Sequence, residues 1–381
     1  MTRVSIRPEL IGWALDRARL SESDLAHRFP KLDGWRSGAV QPTLKQLEGF
    51  AKATHAPLGY FFLDAPPAES VPIPDFRTVV DADLRTPSPD LLDTIYLCQQ
   101  RQQWYRDFAR VVGEEPRPYV GSARLTSSVE TTASEMRSAL HFDLEERRTV
   151  PTWSEALRRF IELADAAGML VMCSGVVHNN NRRRLDPDEF RGFALADDLA
   201  PVIFINGADT RAAQMFTLAH ELAHVWLGQS AVSDAQALRA SDHEVERWCN
   251  RVAAELLVPL DTIRGEIRSG SSLREELDRL ARRFKVSTLV VLRRMHDAGT
   301  LTRERLWREY EAELERLRGR RRSSGGNFYL TLGARASKRF ARALVISTLE
   351  GQTSFSEAFR LLGLKRMKTF EDLGESLGVG S

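Results

Sequence analysis

Two histidines and a glutamate near the middle of the sequence have the residue types and the spacing of a metal site. His220 and His224 are four positions apart, and Glu221 follows the first of them. In a helix, residues four apart share one face, so both imidazoles can bind one ion, while Glu221 lies roughly 100° round the axis. The pattern predicts hydrolysis of a peptide bond by zinc-activated water, with Glu221 as the base that accepts the proton.

The residues around this motif predict a buried helix, Thr210–Leu227, because apolar side chains occur nearly all round its axis. Unpaired polar groups cost several kcal/mol when they are buried, so two histidines and a glutamate in such a helix need compensation. A bound metal ion would supply it. The alternative is an inert core in which hydrogen bonds satisfy the histidines.

A third ligand is expected on the next predicted helix, His243–Leu257, which offers three glutamates. Glu244 and Glu255 fall on a stripe that we expect to be solvated. That stripe also contains Arg247, Trp248 and Arg251. Glu246 instead aligns with small residues beside the apolar face, so it is the carboxylate predicted to point inward. His220, His224 and Glu246 would form an open tripod for zinc, and the same donor atoms would also accept manganese.

Two further features near the motif have hypothetical roles. His243 could support the ligands as a second-shell residue or act as a transition-state donor, or it could be a surface histidine at a helix start. The predicted strand Val202–Ile205 could be an edge strand beside the metal that holds an extended substrate by main-chain hydrogen bonds. An ordinary core strand is the alternative.

The elements that would position these residues are mainly helices with a small β-sheet, an α+β fold. Helices are predicted at Leu91–Val112, Ser127–Phe142, Trp153–Met169, Leu273–Phe284, Ser287–Asp297 and Arg303–Leu317. Three β-prone runs, Leu170–Cys173, Gly192–Leu195 and Val202–Ile205, precede the motif helix. The predicted sheet therefore lies next to the metal site in sequence.

Bulk properties exclude several classes of protein. The 381 residues are 43% hydrophobic and 28% charged, with a formal net charge of +2, so no global field draws the chain to nucleic acid or lipid. We find neither a signal peptide nor an apolar run that could span a membrane, and we expect a cytoplasmic protein without membrane contact. Three scattered cysteines predict no disulfide framework. They are Cys98, Cys173 and Cys249.

The chain is predicted to contain five segments. They are a helix-turn-helix bundle at 1–62, a proline-rich linker at 63–90, a metallopeptidase domain at 91–265, a helical region at 266–322 and a C-terminal helical unit at 323–381. The basic run Arg320-Arg-Arg322 is expected in a solvated connection, with added affinity for phosphate as the alternative.

The motif region resembles a known family. The run Phe216–His224, followed by Glu246–Pro259, is similar to the ImmA/IrrE family of metallo-endopeptidases, and Pro74-Asp-Phe-Arg-Thr78 is similar to a segment of its longer members. The resemblance implies a zincin-like core, with His220, His224 and Glu246 as metal ligands and Glu221 as catalytic base. Val258, where methionine is often found, and the long C-terminal extension leave substrate choice open.

The N-terminal segment resembles the XRE-type helix-turn-helix of phage repressors, on the basis of Trp35-Arg-Ser-Gly38 and Pro42–Leu47. A short helix at about Lys31–Trp35 would enter the major groove. Arg28, Lys31 and Arg36 would then meet phosphates or bases, although Asp33 would face the same phosphate-rich surface. The alternative is a degenerate bundle used for protein contact.

The two resemblances imply regulation. We expect a site-specific zinc metallo-endopeptidase that controls transcription or a stress response by cleaving a repressor-type protein, with a helix-turn-helix repressor or a toxin as its protein partner. The alternative is a DNA-binding antitoxin of a toxin-antitoxin pair, which would bind DNA through residues 1–62 and in which the metal site is structural or vestigial.

Overall fold

The described residues form a mainly helical structure with a small sheet of four strands, as the sequence predicts. The structure is a computed structural model, and it describes residues 3–76, 86–233, 243–268, 270–318 and 333–379. The chain divides into two units. One is Met1–Pro72 with Val79–Ile95, and the other is Ile73–Thr78 with Tyr96–Ser381. The regions predicted separately at 266–322 and 323–381 thus fall in the second unit.

The first unit is built from short helices around an aromatic core. Its helices are α1 (Pro8–Ala18), α2 (Glu22–Ala26), α3 (Leu32–Arg36), α4 (Leu44–Ala53) and a 3-10 turn at Leu58–Phe62. Ser21 and Thr43 cap α2 and α4 with capping boxes, which explains why these helices begin at Glu22 and Leu44. Trp35 and Phe50 are buried and meet edge to face in the core.

The beginning of the segment predicted as a linker is fixed to the first unit by an ion pair at Glu69. The buried guanidinium of Arg17 donates through Nη2 to Oε1 of Glu69 at 2.9 Å, and through Nη1 to the carbonyl of His55 at 2.9 Å. Arg17 therefore binds the chain after the last turn of the bundle. A bidentate arginine–carboxylate pair of this kind holds both distance and orientation.

The second unit contains the remaining helices and all four strands. The strands are β1 (Leu170–Ser174), β2 (Gly192–Leu195), β3 (Val202–Asn206) and β4 (Ala231–Ser233). The helices before the sheet are α5 (Pro89–Val112), which belongs to this unit from Tyr96 onward, α6 (Val129–Ala139), α7 (Leu144–Thr149) and α8 (Trp153–Ala166). Those beyond β3 are α9 (Arg211–Leu227), α10 (Glu244–Leu257), α11 (Leu260–Glu266), α12 (Leu273–Phe284), α13 (Thr288–Asp297), α14 (Arg303–Arg318), α15 (Lys338–Leu349), α16 (Phe355–Leu362) and α17 (Met367–Ser376).

The strand order is β1-β3-β2-β4, with β1 and β3 parallel and the other neighbours antiparallel. The predicted edge role of Val202–Ile205 is therefore wrong. Strand β3 pairs on both sides, and all its residues are buried, so its main chain has no free side for a substrate. The strand at the end of the order, next to β2, is β4.

Helix α9 lies against β2 and β3 and is covered on its other sides by α8 and α10. This position explains why the helix is apolar nearly all round, with its residues from Gln214 to Trp226 buried. Gly228 ends it with a φ of 67°, and a Cβ at this position would lie 2.9 Å from the Cα of Gly121. Both the backbone conformation and the close approach require glycine here.

The C-terminal helices extend the core of the second unit. Side chains of α12, α13 and α14 share the hydrophobic cluster that contains α9 and α10. Helix α15 packs on β1, and Ser337 and the amide of Arg339 at its start donate hydrogen bonds to the buried carboxylate of Asp165 on α8. None of the described helices combines the length and the apolar character that a membrane crossing requires.

Candidate metal centre

Helices α9 and α10 bring three predicted ligands to one point. Their candidate ligand atoms all lie within 4.8 Å of one another. His224 Nε2 is 3.1 Å from His220 Nε2 and 3.0 Å from Oε1 of Glu246, and His220 Nε2 is 3.2 Å from Oε2 of Glu246. One turn of α9 separates the two imidazoles, as the spacing requires, and the packing of α10 on α9 supplies the carboxylate.

These distances fit a bound divalent ion. In a tetrahedral zinc site with bonds of about 2.0–2.1 Å, neighbouring ligand atoms are about 3.3 Å apart, close to the separations between His220, His224 and Glu246. Two imidazole nitrogens that face each other beside a carboxylate need a shared cation, because neutral lone pairs repel. This can be a proton on one ring or a metal ion bound by all three. Nitrogen and carboxylate ligands suit zinc and also accept manganese.

A hydrogen bond fixes the outer side of one imidazole. His220 Nδ1 lies 3.0 Å from Oδ1 of Asn250, which is one turn beyond Glu246 on α10. With the ring N–H donated to this amide oxygen, the lone pair of Nε2 is directed at His224 and Glu246. This arrangement is typical of histidine ligands, whose other nitrogen is usually held by a protein acceptor. Sequence reasoning missed Asn250, because its helical position marked it only as a small residue.

Glu221 lies beside the cluster with an unpaired carboxyl group. Its exposure is 0%, and neither of its oxygens has a partner at hydrogen-bond geometry among the described residues, nor does the buried hydroxyl of Ser233 on β4. A Cβ on Gly192 would lie 3.0 Å from Oε1 of Glu221 and 2.5 Å from Cγ2 of Thr217. Glycine at the start of β2 therefore leaves the space that this carboxyl group occupies.

Burial and charge set the protonation of the centre. Burial raises the pKa of the Glu221 carboxyl to about 8, although the neighbouring His220 lowers it. Burial alone would lower the pKa of His220, but the carboxylate of Glu246 outweighs it and holds this pKa at about 9. Burial likewise lowers the pKa of His224. Glu246 is the anion, since the charge of His220 outweighs burial and holds its pKa well below the usual range.

The other two glutamates of α10 lie away from the ligands. Glu244 is exposed in the first turn. Glu255 was expected on a solvated stripe with Trp248, and this is wrong, because they are only 6% and 1% exposed. Helix α10 packs on α6 as well as α9, so both faces are covered. The Glu255 carboxylate is compensated by an ion pair with Arg294.

His243 is the N-cap residue of α10 and is exposed. Its ring centroid is 5.2 Å from that of Phe76, and the ring of Phe76 in turn stacks on His224 with a centroid distance of 6.2 Å and an interplanar angle of 19°. His243 is therefore separated from the ligand His224 by an aromatic ring. Its role as a second-shell residue or transition-state donor remains a prediction. The segment Pro74–Thr78 was singled out only by its resemblance to longer family members, and its distance from the motif along the chain gave no sign that Phe76 contacts His224.

The predicted DNA-contacting residues lie around α3 in the first unit. Lys31 precedes the helix, and Arg28 is exposed with its guanidinium 5.2 Å from the ring centroid of Phe29. Arg36 forms an ion pair with Glu22. Lys31 and Arg28 are thus on the surface, and Arg36 has a carboxylate partner. The basic run at 320–322 lies outside the described residues.

The arrangement can bind a divalent cation and hold a carboxyl group beside it. Comparison with protein families agrees with this geometry. Residues 164–296 match the model of the IrrE N-terminal-like domain, Peptidase_M78, a range that runs from the end of α8 into α13 and contains the three predicted ligands. Residues 336–376 match a domain of unknown function, DUF8813. No curated protein matches the chain. The family match supports a zincin-like core of the metallopeptidase kind.

Proposed function

We propose that the chain is a zinc-dependent endopeptidase that cleaves a regulatory protein, a repressor of the helix-turn-helix kind, at a specific peptide bond. The observation that carries the proposal is the unpaired carboxyl group of Glu221 next to the ligand atoms of His220, His224 and Glu246. A purely structural zinc site has four protein ligands and no need of a second carboxyl group nearby. The match to a metallopeptidase model supports the reaction class.

The residues divide the chemistry between them. His220, His224 and Glu246 would hold the ion, with Asn250 fixing the orientation of His220. Zinc bound there supplies Lewis acidity, which polarises a carbonyl group and makes water a stronger acid. Glu221 takes the proton from water as it attacks the scissile carbonyl carbon and passes it to the leaving amine nitrogen. Its buried position favours the first step, since a carboxyl group in low dielectric accepts a proton more readily.

Glu221→Gln tests the proposal. Glutamine keeps the size of the side chain but cannot accept the proton, so we expect kcat to fall about 10²–10⁴-fold while zinc is retained. Glu244→Gln, an exposed change on α10, is the matched control and should leave kcat unchanged. The assay combines the zinc content of each variant with mass spectrometry of products from a proteome-derived peptide library. Equal cleavage by Glu221→Gln and the wild type would remove the proposed base.

The substrate class is tested with the whole protein. Zinc-loaded chain is incubated with the repressor-type and toxin-type proteins encoded beside its gene, and the products are identified by intact mass. We expect one cut in a helix-turn-helix repressor, absent with Glu221→Gln. Cleavage of the peptide library without cleavage of any such protein would keep the peptidase and reject the repressor as its substrate.

A second candidate is a DNA-binding antitoxin in which the metal site is structural. It is favoured by the burial of all the site residues and by the exposure of Arg28 and Lys31 beside α3. The test is a gel shift of the full chain on its own promoter. Loss of promoter binding in Arg28→Ala and Lys31→Ala, with unchanged binding in the control Lys52→Ala, would favour this candidate. Glu221→Gln should then also leave repression of the promoter intact. A full chain that does not shift its own promoter would remove this candidate.

A further inference from the structure

The outer side of β4 is occupied by another part of the same unit. Val232, the central residue of β4, donates its N–H to the carbonyl of Pro74 at 3.0 Å and accepts the N–H of Phe76 at 3.2 Å. Asp75 and Val232 form a parallel bridge. The other side of Val232 faces Phe193 of β2 in the sheet. The segment Pro74–Phe76 is therefore an added strand position at the end of the sheet.

The same segment covers the candidate metal centre. Along the line of rings from His224 through Phe76 to His243, exposure rises from buried through intermediate to exposed. Phe76 thus lies between a ligand and solvent. The four site residues are at most 1% exposed, which agrees with a covered site. Strand β4 leads to the same place, because its residue Ser233 is paired with Gly192 of β2, and Gly192 borders the Glu221 carboxyl group.

A substrate peptide would need the same main-chain groups of Val232 and the same access to the ligand cluster that this segment occupies. An extended peptide binds a sheet edge through main-chain hydrogen bonds, and the two groups that Val232 offers on its outer side are both taken by Pro74 and Phe76. The peptide must also bring a carbonyl group to the ligand cluster, which Phe76 covers. Two main-chain hydrogen bonds and one aromatic ring form a small contact, so a longer peptide with more contacts could replace it.

We propose that Pro74–Phe76 is a resident plug that occupies the peptide-binding edge of β4 and covers His224, and that it must leave this edge before an extended peptide reaches the metal centre. The proposal rests on the proposed peptidase function for its consequence. Its structural content is the occupation of the β4 edge and the covering of His224, which can be measured without any substrate. The edge of β4 under the plug, and not Val202–Ile205, is then the place where the main chain of a substrate binds.

The test uses the full chain with Phe76→Ala, Phe76→Tyr and the control Phe108→Ala, a partly buried phenylalanine on α5. The first measurement is the rate at which bound zinc passes to a chromogenic chelator. Removing the ring should raise the fraction of open molecules, so we expect transfer from Phe76→Ala to be on the order of tenfold faster. Phe76→Tyr keeps the ring and should behave as the wild type, as should Phe108→Ala.

The second measurement is amide hydrogen exchange at Val232, whose N–H the carbonyl of Pro74 protects. Exchange should be faster in Phe76→Ala than in the wild type and unchanged in Phe108→Ala. This readout requires neither metal nor substrate, so it decides the matter even if the chain cleaves no peptide. Faster exchange with no cleavage would uphold the plug and reject the peptidase.

The third measurement is cleavage of the peptide library, which we expect to rise in Phe76→Ala by about the factor seen in zinc transfer. Unchanged zinc transfer together with unchanged exchange at Val232 would overturn the proposal and leave Phe76 as a packing residue. Slower cleavage with unchanged zinc transfer would also overturn it, because Phe76 would then form part of the wall that binds the substrate.

Discussion

Helix α10 carries two buried glutamates, and their surroundings differ. Glu246 lies between two imidazoles, which carry charge only when they are protonated or share a metal ion. Glu255, toward the other end of the helix, is ion-paired with Arg294, and both of its oxygens accept the N–H of Leu260 at 3.3 Å. Arginine keeps its charge at all relevant pH values, so this carboxylate is satisfied by the protein alone.

The comparison teaches that burial of an acid does not by itself mark a site. Glu255 borders a cavity of about 810 Å³, whereas none of the ligand residues lines that cavity. Cavity size would therefore point to another face of the helix, since Glu244 and Arg251 line the cavity together with Glu255. What distinguishes Glu246 is that its neighbours His220 and His224 bring no permanent charge and that the adjacent Glu221 is unpaired.

Removing the carboxylate of Glu246 should have the largest effect. Glu246→Gln keeps the shape but loses the anionic ligand, and a direct ligand should count for more than the outer partners that change metal affinity about 10–100-fold. We expect zinc affinity to fall about 10³-fold or more. Competition with a chelator of known affinity measures it, and Glu244→Gln is the control on the same helix. Retention of zinc by Glu246→Gln at wild-type affinity would contradict the ligand assignment.

Breaking the ion pair between Arg294 and Glu255 should lower the stability of the fold and leave the affinity for zinc unchanged. Arg294→Met leaves the Glu255 carboxylate buried without its cation, which should lower the free energy of unfolding by about 3–5 kcal/mol. Denaturant unfolding of the zinc-free protein measures it, and zinc affinity of the folded variant should equal that of the wild type.

The matched control is Arg293→Met on the same helix, α13. The side chain of Arg293 is 44% exposed and 3.4 Å from Asp297, so its loss should cost at most about 1 kcal/mol. If Arg294→Met lowered zinc affinity as strongly as Glu246→Gln, the two ends of α10 would not be separate, and the comparison between them would fail.

The sequence predicts the surroundings of Glu246 better than those of Glu255. His220 and His224 follow from the period of one helix, and the inward position of Glu246 follows from the small residues around it. These are local patterns. Strands β1 to β3 were predicted for the same reason, since short β-prone runs are local.

The burial of Glu255 was missed because Arg294, its partner, belongs to a distant helix, and no local pattern records that pairing. Strand β4 was missed because three residues are too few to show a period. The covering of His224 by Phe76 likewise depends on a contact between distant parts of the chain. Tertiary pairing decides each of these features, and a single sequence does not show it.

A smaller effect is expected from the partner of His220. Asn250→Ala removes the acceptor of Nδ1–H, so the ring can rotate and change its tautomer, and zinc affinity should fall about 10–100-fold. Asn250→Asp keeps an acceptor and should restore affinity to the wild-type level or above. Chelator competition measures affinity, and the nitrogen chemical shifts of His220 report the tautomer. Equal affinity in Asn250→Ala and the wild type would show that Asn250 does not position the ligand.

The smallest effect is expected when both charges of the paired end are removed together. In Arg294→Met with Glu255→Leu no buried charge is left unpaired, and apolar replacements of a buried ion pair are often neutral. Stability should lie within about 2 kcal/mol of the wild type. The remaining loss would arise from the hydrogen bond of Arg294 Nε to the carbonyl of Val258 and from the acceptor that the N–H of Leu260 loses with Glu255. A double variant as unstable as Arg294→Met alone would mean that the instability does not come from the unpaired charge of Glu255. A stable double variant with wild-type zinc affinity would show that charge compensation at this end serves folding alone.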